Sequence, residues 1–186
     1  MRSVAALAVC IFLTFTACAK NDTIDRGMAL RQRSLESSGC SFDAVITADY
    51  RDEVYTFSMS CAVDQLGDLQ FSVKEPISLE GITGRIGCDG GKLTFDDRAL
   101  GFPILSDNLP SPVSGPWFFI TALRSGYLKS CADIDDGIEL MIDDSYEEDS
   151  LLIDIHTDSH DLPISCEILW DGMRILSMEI QNFTFL

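Results

Sequence analysis

The sequence predicts a mainly β, α+β domain: one curved antiparallel sheet with a helix near the N-terminus and a second helix inserted midway. From Cys40 onward, short stretches rich in β-branched and aromatic residues recur, each closed by Gly, Asp or Pro. Helical periodicity is scarce and gathers in residues 19–39 and 111–125. The chain has 186 residues, 46% of them hydrophobic, which suits one domain with a full core and no internal linker.

The first residues read as targeting rather than fold. Arg2 is followed by an apolar run over residues 4–15 and by small residues before Cys18. A run of about 12 residues falls short of the roughly 20 that a membrane-crossing helix needs. Residues 1–17 are therefore expected to be a cleaved signal. Phe15-Thr16-Ala17-Cys18 resembles the bacterial lipobox, although Phe15 stands where an aliphatic residue is usual. This favours lipidation of Cys18, as a new N-terminus, over ordinary secretory cleavage. Residues 18–39 then form an anchored tether and N-terminal helix, and residues 40–186 the domain proper. Ile24, Met28, Leu30 and Leu35 give the helix a partial apolar stripe to lay on the sheet.

The first strand pair is expected at residues 42–48 and 54–61. There Phe42, Ala44 and Ile46, then Tyr55, Phe57 and Met59, alternate with mostly polar neighbours, so one face is buried and the other wet. Strands at 69–73, 82–88, 92–95 and 100–104 follow, with Asp89-Gly90-Gly91 as a tight hairpin signal. Residues 111–125 place Pro112 and Pro116 before Trp117, Phe118, Ile120 and Leu123 and close at Gly126, the pattern of an amphipathic helix. Strands at 138–142, 151–156, 164–170 and 173–185 complete the chain, the last two joined at Asp171-Gly172.

A net charge of −17 excludes a nucleic-acid partner and disfavours adhesion of the protein itself to anionic lipid. The same charge keeps an exported protein soluble and monomeric. Beyond Cys18 the cysteines are Cys40, Cys61, Cys88, Cys131 and Cys166. In an oxidising exterior Cys40 and Cys61 are the pair to test for a disulfide, since they end two strands joined by one turn, and hairpin register decides whether they face each other. No Cys-x-x-Cys is present, so no metal or other cofactor is expected.

Chemistry is otherwise sparsely signalled. His156, Asp158 and His160 would share one side of a strand and could offer a metal two imidazoles and a carboxylate, yet a polar strand end explains them as well. The acidic runs 133–137 and 143–149 lack the spacing of a calcium loop and read as solvated turns. No catalytic residue stands out, and the reading is non-enzymatic.

Several phrases in order resemble the lipoprotein-carrier (LolA-like) superfamily over roughly residues 22–186. They are Phe71-Ser-Val-Lys-Glu-Pro76 into Leu79-Glu-Gly-Ile-Thr-Gly-Arg-Ile86, Gly91-Lys-Leu-Thr-Phe-Asp96, and Cys166-Glu-Ile-Leu-Trp-Asp-Gly172 leading to Ile180-Gln-Asn-Phe183. The resemblance implies an open antiparallel half-barrel whose helix-covered face holds a lipid or acyl chain. The anchoring cysteine and the five others depart from the family pattern, so a soluble shuttle fits less well than an anchored relative that senses, stores or presents a ligand.

Alternation and the helix stripe nominate Phe57, Met59, Leu69, Phe71, Trp117, Phe118, Ile120, Leu123, Ile153 and Ile155 as ligand-binding residues. The expected protein is thus lipid-anchored at the extracytoplasmic face of a bacterial membrane and binds a hydrophobic ligand. The rival reading is an envelope interaction or sensor module with a filled core and a protein partner.

Overall fold

The computed structural model describes residues 22–50, 53–106, 109–145, 147 and 150–186; the signal segment and Cys18 lie outside them. Helix α1 (Asp22–Glu36) leads into β1 (Gly39–Asp49), β2 (Val54–Asp64), β3 (Leu69–Glu75), β4 (Thr83–Gly87), β5 (Gly90–Phe95) and β6 (Arg98–Phe102). A small hairpin, β7 (Leu105–Ser106) and β8 (Leu109–Pro110), precedes a single 3-10 turn (Pro112–Ser114) and helix α2 (Gly115–Ser125). Strands β9 (Tyr127–Ile134), β10 (Gly137–Asp143), β11 (Leu151–Thr157), β12 (Pro163–Trp170) and β13 (Met173–Phe185) follow.

Eleven strands make one open antiparallel sheet in the order β6-β5-β4-β3-β2-β1-β13-β12-β11-β10-β9. Chain order explains the covering helix. Strands β6 and β9 lie at opposite edges, so the connection between them must cross a sheet face, and it carries α2 there. The mainly β half-barrel with two helices expected from the sequence is the observed architecture.

Local chemistry sets the turns. Asp171 and Gly172 (φ 49° and 71°) join β12 to β13 with both residues left-handed, the conformation a two-residue hairpin favours. In β13 a register shift opposite Ser41 and Asp43 leaves Asn182 at φ 54°, and its amide donates to Asp43 at 2.8 Å. That bond and one from Ser60 hold the Asp43 carboxyl below the usual range.

The buried face follows the alternation that the sequence shows. Phe42, Ala44 and Ile46 of β1 point inward with Phe57 and Met59 of β2, Leu69 and Phe71 of β3, and Ile153 and Ile155 of β11. Phe119 of α2 is fully buried, edge-on to Phe42 at 5.7 Å and to Phe183 at 6.3 Å between ring centres.

Two readings are corrected. Of the expected stripe, Leu30 is buried, but Ile24, Met28 and Leu35 are exposed, and α1 turns Thr23, Gly27 and Ser34 inward beside Leu30. Close approach is the reason. A Cβ at Gly27 would lie 3.0 Å from Cys131 Sγ and 3.3 Å from Leu140 Cδ2, so small residues face the sheet. The helix is clamped by Arg26, which donates to Asp161 at 2.6 Å and Asp133 at 3.2 Å, and Arg31 donates to the Leu123 and Gly126 carbonyls at the end of α2. The second correction is β9, where the sequence suggested no strand. It is an edge strand with exposed Tyr127, Lys129 and Ser130, so it lacks the apolar alternation that marked the others.

Cys40 pairs with Val63 and Cys61 with Phe42, so the two cysteines are offset by one pair of residues, and both thiols are free and buried. Burial pushes the Cys40 thiol up to about 12 and raises Cys61 and Cys166 as well. A thiolate is the reactive form. At pH 8, iodoacetamide should therefore label exposed Cys88 first and leave Cys40, Cys61 and Cys166 untouched until urea is added. Peptide mass spectrometry reads this directly, and early labelling of Cys61 would contradict the packing.

Candidate functional site

The covered face divides into two halves. Beneath α2 it is filled: Met59, Leu69, Leu123, Ile153 and Ile155 have no more than 1% of their surface exposed, and Phe118 is buried beside them. Toward the other ends of β2–β5, Pro103 and residues 109–113 form a wall.

Three adjoining hollows surround that wall. One of about 250 Å³ is lined by apolar and aromatic side chains, among them Tyr55, Phe57, Val73, Leu93 and Val113. A second of about 410 Å³ shares Pro112 with it and runs between Phe102, Pro103 and Leu109. A third of about 630 Å³ shares Tyr50 and Leu109 with the second and reaches Trp170, Met173 and Ile175. Its polar rim is Asp49 and Arg174.

The wall is held by specific bonds. Tyr50 OH donates to the Pro110 carbonyl at 2.5 Å, and burial pushes this phenol up to about 12, so it stays a neutral donor. Ser111 N donates to Ile104 O at 2.9 Å, and Ser114 Oγ to Ser111 O at 2.6 Å. Three prolines, at 103, 110 and 112, restrict the backbone between them. Tyr55 and Leu79, which line the 250 Å³ hollow, are both exposed, so apolar surface reaches solvent there.

Of the nominated ligand residues, Phe57 lines the 250 Å³ hollow. Trp117 and Ile120 border a separate recess of about 330 Å³ with Leu35, Leu66 and Arg124. Phe71 borders a cup of about 620 Å³ that is otherwise largely polar, with Ser60, Ser72, Thr83, Arg85 and Lys92, where Arg85 is paired with Asp68. The other six, Met59, Leu69, Phe118, Leu123, Ile153 and Ile155, lie in the core. Sequence reading missed Tyr50, Leu109, Pro112 and Val113. The proline spacing was the available signal, but alternation, which selects strand residues, passes over a loop wall.

His156 and His160 separate. Strand β11 ends at Thr157, and Asp158 turns the chain by accepting from the amides of His160 at 2.8 Å and Leu162 at 2.9 Å. Of the acidic runs, Asp133 accepts from Thr23 and Arg26, and Asp144 accepts from the Leu151 amide at 2.8 Å.

No protein-family model matches the chain, and no curated protein sequence does. Among solved structures, the chain is similar to a LolA superfamily protein from Nitrosomonas europaea, at 7% identity and a TM-score of 0.47 over 88% of this chain and 93% of that one. It is also similar to a structure described as an outer membrane lipoprotein-sorting protein domain from Vibrio parahaemolyticus, at 11% identity and a TM-score of 0.49 over 88% and 92%. A third is the Mycobacterium tuberculosis lipoprotein LppX, at 10% identity and a TM-score of 0.45 over 89% and 96%. The first of these is named for the superfamily that the sequence resembles.

Proposed function

We propose that the protein is an exported, non-enzymatic lipoprotein, anchored through Cys18, that takes up a lipid acyl chain in the hollows walled by Pro103 and residues 109–113. The observation that carries this reading is the apolar 250 Å³ hollow, which shares Pro112 with a second hollow that in turn borders a third, and whose lining includes exposed Tyr55 and Leu79. Each methylene moved from water into such a space contributes about 0.8 kcal/mol, so a chain of modest length offsets the cost of association. The filled half beneath α2 favours a single chain near the sheet's open side over a ligand spanning the whole face.

Native mass spectrometry of protein purified from its host, with fatty acid or phospholipid offered afterwards, tests the reading. The expected result is a bound lipid on the wild type and at least about tenfold weaker uptake by Val113→Trp, whose indole fills the hollow from a half-buried loop position. No co-purified lipid and no uptake on the wild type would sink it, and that outcome would favour the filled-core interaction module. Anchoring is read separately, by incorporation of labelled palmitate that Cys18→Ser abolishes.

A further inference from the structure

On the sheet face opposite the core, β10, β11 and β12 bring together side chains that the groove does not use. Glu139 lies opposite His156 across the β10–β11 pair, Asp154 stands two residues from His156 on the same side of β11, and Glu167 faces Asp154 from β12. Strand alternation puts them on one face, and it was hidden from the sequence because Glu139 lies 17 positions from His156.

The spacing does not suit hydrogen bonds. His156 Nε2 is 3.5 Å from Glu139 Oε1 and 3.5 Å from Asp154 Oδ1, whereas imidazole–carboxylate bonds close to about 2.7–2.9 Å. Two ligands of one tetrahedral ion with bonds of about 2.1 Å stand roughly 3.4 Å apart, which matches both separations. The three donor atoms all lie within 4.8 Å of one another.

A second observation points the same way. Asp154 Oδ1 is shielded from solvent and has no hydrogen-bond partner. The neighbouring Glu167 carboxylate, which has no proton to donate, is paired with Arg174 at 2.8 Å. A buried carboxylate oxygen without a donor costs free energy that a cation recovers.

We infer that Glu139, Asp154 and His156 form a surface site for a divalent metal ion of the zinc class. One imidazole and two carboxylates are a borderline-hard donor set, which suits zinc or manganese better than a thiophilic ion. His156 is 40% exposed, so the fourth position faces solvent and takes water or a group from another molecule. The inference is independent of lipid binding, because the site lies on the other side of the sheet.

Calorimetric titration of untagged protein with zinc ion, in excess magnesium to occupy unspecific carboxylates, tests it. One saturable site is expected, weakened at least about tenfold by His156→Gln and by Asp154→Asn, and unchanged by His160→Gln on the neighbouring turn or by Cys88→Ser at a hairpin tip. Imidazole nitrogen NMR on the wild type gives a readout that does not depend on any variant folding: zinc should shift Nε2 of His156 and leave His160 in place. Absence of saturable binding below about 1 mM, binding that survives His156→Gln, or an unmoved His156 resonance would each overturn the site.

Discussion

Phe119→Ala is expected to lower stability by about 3–5 kcal/mol, the range for emptying a fully buried aromatic site. The ring meets Phe42 of β1 and Phe183 of β13, so it joins the first and last strands of the sheet's centre to the helix that crosses them. Neither strand can follow a retreating helix, because β1 and β13 are bonded to neighbours on both sides. The cavity therefore persists, which places the cost toward the upper end. At roughly 2–4 °C per kcal/mol for a domain of this size, calorimetry should record a drop in Tm of about 10 °C or more. A drop of under about 3 °C would mean that α2 is not anchored through this ring. Trp117→Ala, two positions earlier at a half-buried site, should cost visibly less.

The second large effect is expected from the smallest change, Gly137→Ala, at about 3 kcal/mol, near the top of the range for overpacking. A Cβ there would lie 2.0 Å from the Thr157 carbonyl oxygen and 2.9 Å from that of Asp158. These are backbone atoms, with no rotamer to swing aside. Relief requires the ends of β10 and β11 to part, and that breaks the buried exchange in which the Ile138 amide donates to Thr157 Oγ1 at 3.0 Å. Chemical denaturation of the purified variant measures the loss. A change below about 1 kcal/mol would show that the strand ends part without cost.

How much of this was legible in the sequence depends on what each signal encodes. Inward alternation placed Phe42, Ala44, Ile46, Phe57 and Met59 on one face because a strand buried on one side must alternate. The Asp171-Gly172 hairpin was legible because few residue pairs accept two left-handed conformations in a row. Helix α1 was legible as a helix but not in its orientation. Hydropathy favoured Ile24 and Met28 as its inner face, whereas contact distance selects Gly27 and Thr23. The site fared worse for a related reason. Periodicity nominates residues within regular elements, while Leu109 and Val113 owe their place to a connection that must cross the sheet and Tyr50 lies in the β1–β2 turn. The carboxylate–imidazole cluster depends on strand register, which hydrophobic pattern and turn geometry set and which no single residue announces.

The clamp that Arg26 makes with Asp133 and Asp161 sits where β9 turns into β10 and β11 into β12, whereas Tyr50, Trp170 and Met173 lie at the opposite tips of the strands. The start of helix α1 and the largest of the three hollows beside the wall therefore occupy opposite ends of the sheet, so an attachment made through one leaves the other unobstructed.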